Sequence, residues 1–189
     1  AHGDAGKVMT SAAVVITDQV NLTQADAVDT ITGGAVTINS FTGTLDNFNE
    51  AHGDAGKVMT SAAVVITDQV TYAQADGVDT ITGGTVTINS FTDTYDNFII
   101  AHDTDAGKDM TGAAVLLTGT VTLAQLNTVN ADTAGAITFS AVRDTRDNIT
   151  AINASGDYDL SSANVTVTDQ VNLAQADALD LMTDGTVTI

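Results

Sequence analysis

The chain has 189 residues and a formal net charge of -19, since 24 acidic residues face only five lysines and arginines. Binding to nucleic acid or to an anionic membrane depends on Lys and Arg displacing counterions, so this charge argues against both partners. Cysteine is absent, which excludes disulfides and thiolate metal sites. The hydrophobic content of 43% is enough for a packed core.

Membrane and targeting signals are missing from the sequence pattern. No apolar run approaches the roughly 20 residues of a membrane-spanning helix, and the N-terminus does not resemble a signal peptide. Because the first residue is Ala1 rather than Met, we expect a mature or excised segment of a longer protein. An acidic chain rich in Asp and Thr, with no Cys, is typical of exported bacterial surface proteins. We therefore predict an extracellular or cell-surface location.

A repeat with a period of about 50 residues dominates the sequence. Residues 1–20 recur unchanged at 51–70, and weaker copies begin at Ala101 and Ala151. A period of this length is typical of solenoids, propellers and arrays. We predict a single solenoid array over 1–189, with repeats at 1–50, 51–100, 101–150 and an incomplete 151–189.

Each repeat contains two short runs rich in β-branched residues. Strand A is predicted at 14–17, 64–67, 115–118 and 165–168, and strand B at 36–38, 86–88, 137–139 and 187–189. Alternation places Val14 and Ile16 on one face of strand A. The middle residue of strand B, a threonine in every repeat, points to the opposite face.

Strand A is followed by a segment with the signals of a helix N-terminus. Asn or Thr stands three residues before Gln, which is a capping box. The predicted pairs are Asn21/Gln24, Thr71/Gln74, Thr122/Gln125 and Asn172/Gln175. An apolar stripe runs from Leu22 to Ile31, and we expect Gly33 and Gly34 to end the helix.

A second, shorter helix is predicted after strand B. Thr44, Thr94 and Thr145 are its expected N-caps, and Phe48 and Ala51 would face inward. A loop with no clear period then returns the chain to strand A, and Met59 is expected to fill the core there.

The fold class that follows is α/β, a tandem-repeat solenoid in which each unit is strand, helix, strand, and short helix or loop. No tight hairpin turn separates strands A and B, which favours parallel strands with right-handed crossovers in one sheet. One full helix for every two strands would stack straight, so unequal helices predict a nearly straight rod.

The aspartates in the return loops are the candidate metal ligands. Calcium takes six to eight oxygen ligands from carboxylates and carbonyls on irregular loops. The candidates are Asp4, Asp54, Asp103, Asp105, Asp157 and Asp159, with Asp18, Asp68 and Asp169 following strand A. The competing interpretation is that these residues serve turns, helix caps and solubility. No EF-hand can be built, because Glu50 is the lone glutamate.

Catalysis finds no support in the motifs. The sequence has no GxSxG, P-loop or HExxH pattern, so we predict that the protein is not an enzyme. His2, His52 and His102 recur at one repeat position, which indicates a corner residue rather than a metal or catalytic site. Regular outward threonines are also compatible with ice binding, although β-favouring residues on a sheet face explain them more simply.

The pattern VTITDQVxLAQADALDxxTxGTVTI, which residues 165–189 follow closely, resembles the repeats of very large secreted or cell-surface bacterial proteins, including cyanobacterial ones. Some members are adhesins, surface-layer subunits or filament components. The resemblance implies an architectural role without catalysis. The GGxGxD motif of calcium-binding RTX repeats is missing.

We therefore expect a structural extracellular repeat protein: a surface filament, surface layer or adhesin stalk. The sequence opens in the return loop and closes in strand B at Ile189, without polar capping repeats, so its partners are expected to be copies of itself, end to end or laterally. A calcium-dependent adhesion module or a module that binds cell-surface glycans is the alternative, and an ice-binding protein is a third reading.

Overall fold

The computed structural model describes residues 9–104 and 107–189, without the side chains of residues 103 and 104. Asp4, Asp105, His2 and the side chain of Asp103 therefore lie outside the described part. Contacts divide the chain into two compact units. The first holds the described residues up to Asn89 together with Gly107–Asp109, and the second holds the remainder.

The described residues contain eleven strands. They are β1 (Val14–Val20), β2 (Val36–Gly43), β3 (Lys57–Val58), β4 (Ala63–Val70), β5 (Val86–Asp93), β6 (Lys108–Asp109), β7 (Ala114–Val121), β8 (Ile137–Asp144), β9 (Tyr158–Asp159), β10 (Asn164–Val167) and β11 (Val187–Thr188). They form one parallel sheet in the order β1-β2-β4-β5-β7-β8-β10-β11, and β3, β6 and β9 pair with β2, β5 and β8. The predicted α/β class with a parallel sheet is confirmed, and the sheet is open rather than closed into a barrel.

Seven α-helices connect these strands within the described residues. They are α1 (Leu22–Asp29), α2 (Leu45–Gly53), α3 (Tyr72–Ile81), α4 (Tyr95–Ile99), α5 (Leu123–Asp132), α6 (Arg146–Ser155) and α7 (Leu173–Asp180), and α4 continues as a π-helical segment at Ile100–Thr104. All four predicted capping boxes are formed, at the N-termini of α1, α3, α5 and α7. Thr44, Thr94 and Thr145 cap the second helices as predicted.

The first unit has one covered sheet face. In β2, Val36, Ile38 and Phe41 are buried, whereas Asn39 between them is exposed. Helices α1 and α2 contact each other and β2, so both lie on the buried face. Phe48 of α2 meets Phe41 edge to face, with ring centroids 6.0 Å apart. The opposite face of the sheet is open to water.

The second unit repeats this arrangement. In β8, Ile137, Phe139 and Val142 are buried, and Thr138 and Arg143 are exposed on the other face. Helix α5 contacts both α4 and α6, so these helices share one layer. Parallel sheets are usually covered on both faces, so an open face is a distinguishing feature of each unit.

The glycines after the first helix do not end it as predicted. Helix α1 stops at Asp29, and Gly156 is the one residue with a positive φ among those described, so Gly33 and Gly34 form no left-handed cap. A Cβ on Gly34 would instead overlap the carbonyl of Ala12. Glycine is required here because two backbone segments approach closely.

A buried threonine secures the same contact in each repeat. Thr82 Oγ1 donates a hydrogen bond to the Ala62 carbonyl at 2.5 Å and accepts one from the Gly84 N–H at 3.2 Å. Thr32, Thr133 and Thr183 make the equivalent pair of bonds. The hydroxyl thus satisfies a donor and an acceptor where the chain enters strand B.

Three further expectations need correction. Strand A is longer than predicted, because β1 continues to Val20 through a register shift between Ile16 and Gln19. Among the described residues, the return loop contains a two-residue strand at β3, β6 and β9. Helices α2 and α6 have 9 and 10 residues, as long as the first helices, because they extend into residues assigned to the return loop. The prediction of a shorter second helix is therefore wrong for α2 and α6, whereas α4 has 5 residues against 10 in α3.

Candidate functional site

The most prominent charged site in the first unit surrounds Lys57 of β3. Its side chain is only 2% exposed, yet it carries a charge. The Nζ atom lies 2.9 Å from Asp26 Oδ1, 2.5 Å from Asp54 Oδ2 and 4.0 Å from Asp29 Oδ2. A buried ammonium is stable only when it is paired and hydrogen-bonded, and carboxylates from helix α1 and from the return loop provide this. We call this arrangement the lysine junction.

The charges of the lysine junction stabilise one another. Burial alone would lower the pKa of Lys57, but hydrogen bonds and the negative charges of Asp54 and Asp26 outweigh it and raise that pKa above its ordinary value. The hydrogen bonds from Lys57 and from the Gly56 N–H lower the pKa of Asp54. Both groups are therefore ionised at neutral pH.

A second lysine junction occurs 51 residues further along, also within the first unit. The side chain of Lys108 is fully buried, and its Nζ lies 3.4 Å from Asp76 Oδ1 and 3.5 Å from Asp79 Oδ2 of α3. The ammonium also lies 5.8 Å from the centre of the Tyr72 ring, close enough for a cation–π contact. Gly107 precedes the lysine because a Cβ there would overlap the Asp79 carboxylate.

In the second unit, the equivalent position holds an uncharged hydrogen-bonded pair instead of an ion pair. Tyr158 takes the position of the two lysines, and its hydroxyl donates a 2.7 Å hydrogen bond to Asn127 Oδ1 of α5. Asn127 and Asn130 replace the helix aspartates, Ser155 replaces Asp54, and Asp157 replaces the preceding glycine. We call this the tyrosine junction. Five positions thus change together between the two types of junction.

Aspartates at the strand ends cap the second helices. Asp68 Oδ1 accepts a hydrogen bond from the Leu45 N–H of α2 at 2.9 Å, and Asp169 Oδ1 accepts one from the Arg146 N–H of α6 at 2.7 Å. Each carboxylate therefore ties its strand to the helix that precedes it. The cap interpretation accounts for both residues without a metal ion.

Asp144 performs a related task at the end of β8. Its carboxylate accepts hydrogen bonds from the Leu123 N–H at 2.9 Å, the Thr145 N–H at 2.8 Å and Asn148 Nδ2 at 2.7 Å. Burial would raise the pKa of Asp144, but these three donors lower it below its ordinary value. One side chain thus fixes the N-termini of α5 and α6.

The predicted calcium ligands are not gathered into one site in the described part of the chain. Asp54 is held by Lys57, whose ammonium occupies the place that a bound cation would take. Asp159 accepts hydrogen bonds from the backbone N–H and hydroxyl of Ser161, which lower its pKa, and Asp157 is exposed. No cluster of three or more metal-ligating side chains occurs among the described residues. Calcium binding stays a prediction.

The recurrent histidines pack against the core aromatics. His52 stacks on Phe48 with ring centroids 6.2 Å apart, and His102 stacks on Phe98 at 5.9 Å. His102 Nδ1 also lies 3.8 Å from Asp132 Oδ2. These contacts agree with a corner role for the two residues.

The outward threonines of the open face do not form an unbroken row. Thr37 of β2 is flanked by Val15 of β1 and Val58 of β3, and Leu116 of β7 stands beside Thr138. Val15 is 61% exposed, so the open face mixes apolar and hydroxyl groups. No observation on this face favours ice over any other partner.

The junctions were not predicted from the sequence, because the lysines were counted only as positive charges against the 24 acidic residues. The signal is present: aligned repeats show Lys opposite an Asp pair and Tyr opposite an Asn pair.

None of the helices in the described part of the chain has the length and apolar character to cross a bilayer. No protein-family model, curated protein or solved structure matches the chain.

Proposed function

We propose that this protein is an architectural α/β solenoid that acts at the cell surface, as part of a filament, a surface layer or an adhesin stalk. The observation that carries the proposal is the junction of each repeat. Its buried polar residues bind the return segment of one repeat to the first helix of the repeat before it.

The distribution of polar contacts supports this role. Lys57 and Asp68 of the second repeat contact the first repeat, through an ion pair to Asp26 and a hydrogen bond from the Leu45 N–H. Solenoids owe their stability to such nearest-neighbour contacts, and each repeat then acts as a structural unit. We include in the proposal that the protein is not an enzyme, since each of these constellations recurs with the repeat.

Removal of one whole repeat tests the solenoid. Deletion of 51–100 joins Glu50 to Ala101 and places Lys108 opposite Asp26 and Asp29, which restores a lysine junction. We expect this variant to fold and to unfold cooperatively, as measured by circular dichroism during urea denaturation. An unfolded product would contradict the stacked architecture.

Calcium-dependent adhesion, the alternative function, makes a different prediction about thermal stability. Because the Lys57 ammonium already lies between Asp54, Asp26 and Asp29, we expect no calcium ion to bind there and the same melting temperature in millimolar calcium and in chelator. A ligand that binds only the native state raises the melting temperature, so a rise in calcium that chelator reverses would favour the adhesion module.

A further inference from the structure

The open sheet face of the first unit carries an uncharged patch around β2. The buried residues of β2 point toward the helices, so its other side chains lie on the open face. There Thr37 pairs with Val58 of β3, and Thr42 pairs with Val65 of β4. Both β2 and β4 are interior strands of the sheet. We call the following six residues the neutral patch: Thr37, Asn39, Ser40, Thr42, Val58 and Val65.

The neutral patch contrasts with the charge of the chain as a whole. The formal net charge is -19, yet β2 contains no charged residue. The one charged residue of β4, Asp68, hydrogen-bonds to the Leu45 N–H of α2, and Lys57 of β3 is buried in its junction. Two copies of so acidic a chain repel one another, so a contact between copies is favoured on a face that carries no charge.

Val58 distinguishes the neutral patch from the equivalent surface of other repeats. The same repeat position holds Asp109 in β6 and Asp159 in β9. Aspartate fits this position, because Asp159 accepts hydrogen bonds from the backbone N–H and the hydroxyl of Ser161. Val58 instead leaves an apolar side chain 36% exposed. The centre of a protein–protein interface is depleted of charged residues, so this replacement favours a protein contact.

We propose that a second copy of this chain packs on the neutral patch, sheet face against sheet face, so that each neutral patch covers the other. The inference rests on the proposed architectural function and names a surface through which neighbouring arrays meet. Parallel sheets are usually covered on both faces, whereas α1 and α2 cover one face of this unit. The same surface is used on both copies, so the contact is isologous and closes at a dimer.

The chemistry of the neutral patch is complementary to itself. The hydroxyls of its threonines and serine, and the amide of Asn39, can each donate and accept a hydrogen bond, so they can pair with the same groups of another copy. The two valines add apolar area. Small ligands are usually held in concave sites lined by aromatic side chains, whereas this patch lies on a sheet and contains no aromatic residue.

The neutral patch is small, which determines how strongly two copies associate. A stable interface usually buries about 800 Å² on each partner, which is more than six side chains on a sheet provide. We therefore expect a weak dimer in solution. In a filament or a surface layer many copies lie side by side, so weak contacts act together.

Sedimentation velocity of the full chain, over a range of concentrations at low and at molar sodium chloride, tests the proposal. We expect the average mass to rise with concentration toward two copies. Salt should strengthen this association, because ions screen the repulsion between the acidic chains. A chain that stays monomeric under all these conditions overturns the proposal, and thermal hysteresis of that monomer would make ice the occupant. Dissociation by salt would indicate ion pairs and also overturns it.

Val58→Asp is the decisive variant, because it introduces the residue that β6 and β9 carry at this position. Each copy then places a carboxylate in the contact, and we expect association to weaken about tenfold or more. Asn39→Asp, a second charge within the neutral patch, should act in the same direction. Asn49→Asp, on the exposed side of α2, adds the same charge outside the patch and should leave association unchanged. Equal association of Val58→Asp and Asn49→Asp overturns the proposal.

The failure of this inference can be told apart from the failure of the solenoid. Circular dichroism and urea denaturation of each variant report whether the array folds, independently of its association. Deletion of 51–100 places Asp109 at the repeat position of Val58, so we expect the product to fold but to associate less. If it folds and the full chain never associates, the solenoid is kept and the docking proposal is lost. Loss of folding in the deletion variant would contradict the solenoid itself.

Discussion

The lysine junction around Lys57 and the tyrosine junction around Tyr158 hold the same place in the repeat with opposite chemistry. One buries an ammonium among three carboxylates, and the other joins a phenol to an amide by a single 2.7 Å hydrogen bond. Each is complete only with its own partners. The comparison teaches that the side chains of the junction differ between repeats while the backbone pairing of β3, β6 and β9 is the same, so we expect the junction to favour particular neighbours.

The two junctions carry different penalties for a mismatch. A lysine opposite asparagines leaves a buried charge without a counterion, whereas a tyrosine opposite aspartates leaves carboxylates that water still reaches. Asp26 keeps 47% of its side-chain surface exposed, while Lys57 keeps 2%. Removal of one partner of a buried ion pair is strongly destabilising, because the remaining charge stays desolvated.

The largest effect is expected from Tyr158→Lys. It buries an ammonium beside Asn127 with no carboxylate at the position of Ser155, and we expect unfolding to become easier by about 3 kcal/mol. Urea denaturation measures the loss. Addition of Asn127→Asp and Asn130→Asp together with Asp157→Gly, which removes the overlap seen at Gly107, should recover most of it. Tyr158→Phe, which removes only the hydroxyl, should cost about 1 kcal/mol. Full stability in Tyr158→Lys alone would show that the partners are interchangeable.

A smaller effect distinguishes two deletions of equal length. Deletion of 51–100 restores a lysine junction, whereas deletion of 101–150 places Tyr158 and Asp157 opposite Asp76 and Asp79. We expect the second deletion to be less stable than the first by about 2 kcal/mol, from like charges and a steric overlap. Denaturation midpoints measure the difference, and Asp76→Asn with Asp79→Asn should reduce it. Equal midpoints would contradict a role for the junction in neighbour choice.

Low pH should reduce the stability contributed by the lysine junction but not that contributed by the tyrosine junction. The pKa of Asp54 is lowered in the folded protein, so its contribution is present above the unfolded value of about 3.9 and is lost as pH falls through the folded value. Burial and the charge of Asp157 raise the pKa of Tyr158, so its contribution is lost only as pH rises above about 10. Acid therefore weakens the lysine junction and leaves the tyrosine junction unchanged.

Conversion of one junction provides the control for the acid experiment. Lys57→Tyr, Gly56→Asp and Asp54→Ser, together with asparagine at 26 and 29, replace a lysine junction by a tyrosine junction. Stability of this variant, measured by urea denaturation from pH 7 to pH 3, should fall less than that of the parent chain. A steeper fall would mean that the carboxylates of the lysine junction play no part in acid unfolding.

Salt should have the smallest effect. Because the carboxylates of the lysine junction are partly exposed, ions screen part of the attraction, and we expect molar sodium chloride to reduce its stabilisation by less than about 1 kcal/mol. The same converted variant should lose this dependence. Melting temperatures at low and high chloride measure the salt dependence of the two chains. A larger loss of stability in the converted variant would contradict this expectation.

The sequence predicted most of the secondary structure because local signals carry it. The boxes at Asn21 and Gln24, and at Thr71 and Gln74, involve residues three apart, and strand alternation is equally local. The junctions could not be predicted in this way. Lys57 meets Asp26 across 31 positions, and only the alignment of repeats shows that the two change together. The close approach of Gly34 to Ala12 also depends on tertiary packing. In the sequence, the same glycine has the appearance of a signal that ends a helix.

The distribution of junction types limits how a gene for such an array can lengthen. Repeat 51–100 carries lysine on one side and aspartates on the other, so tandem duplication of that segment produces compatible neighbours each time. Repeat 101–150 carries Lys108 and Asn127, and a duplicate beside itself would oppose lysine to asparagine. Segments of that kind can multiply only together with the tyrosine repeat that follows. The unchanged recurrence of residues 1–20 at 51–70 falls in the self-compatible class.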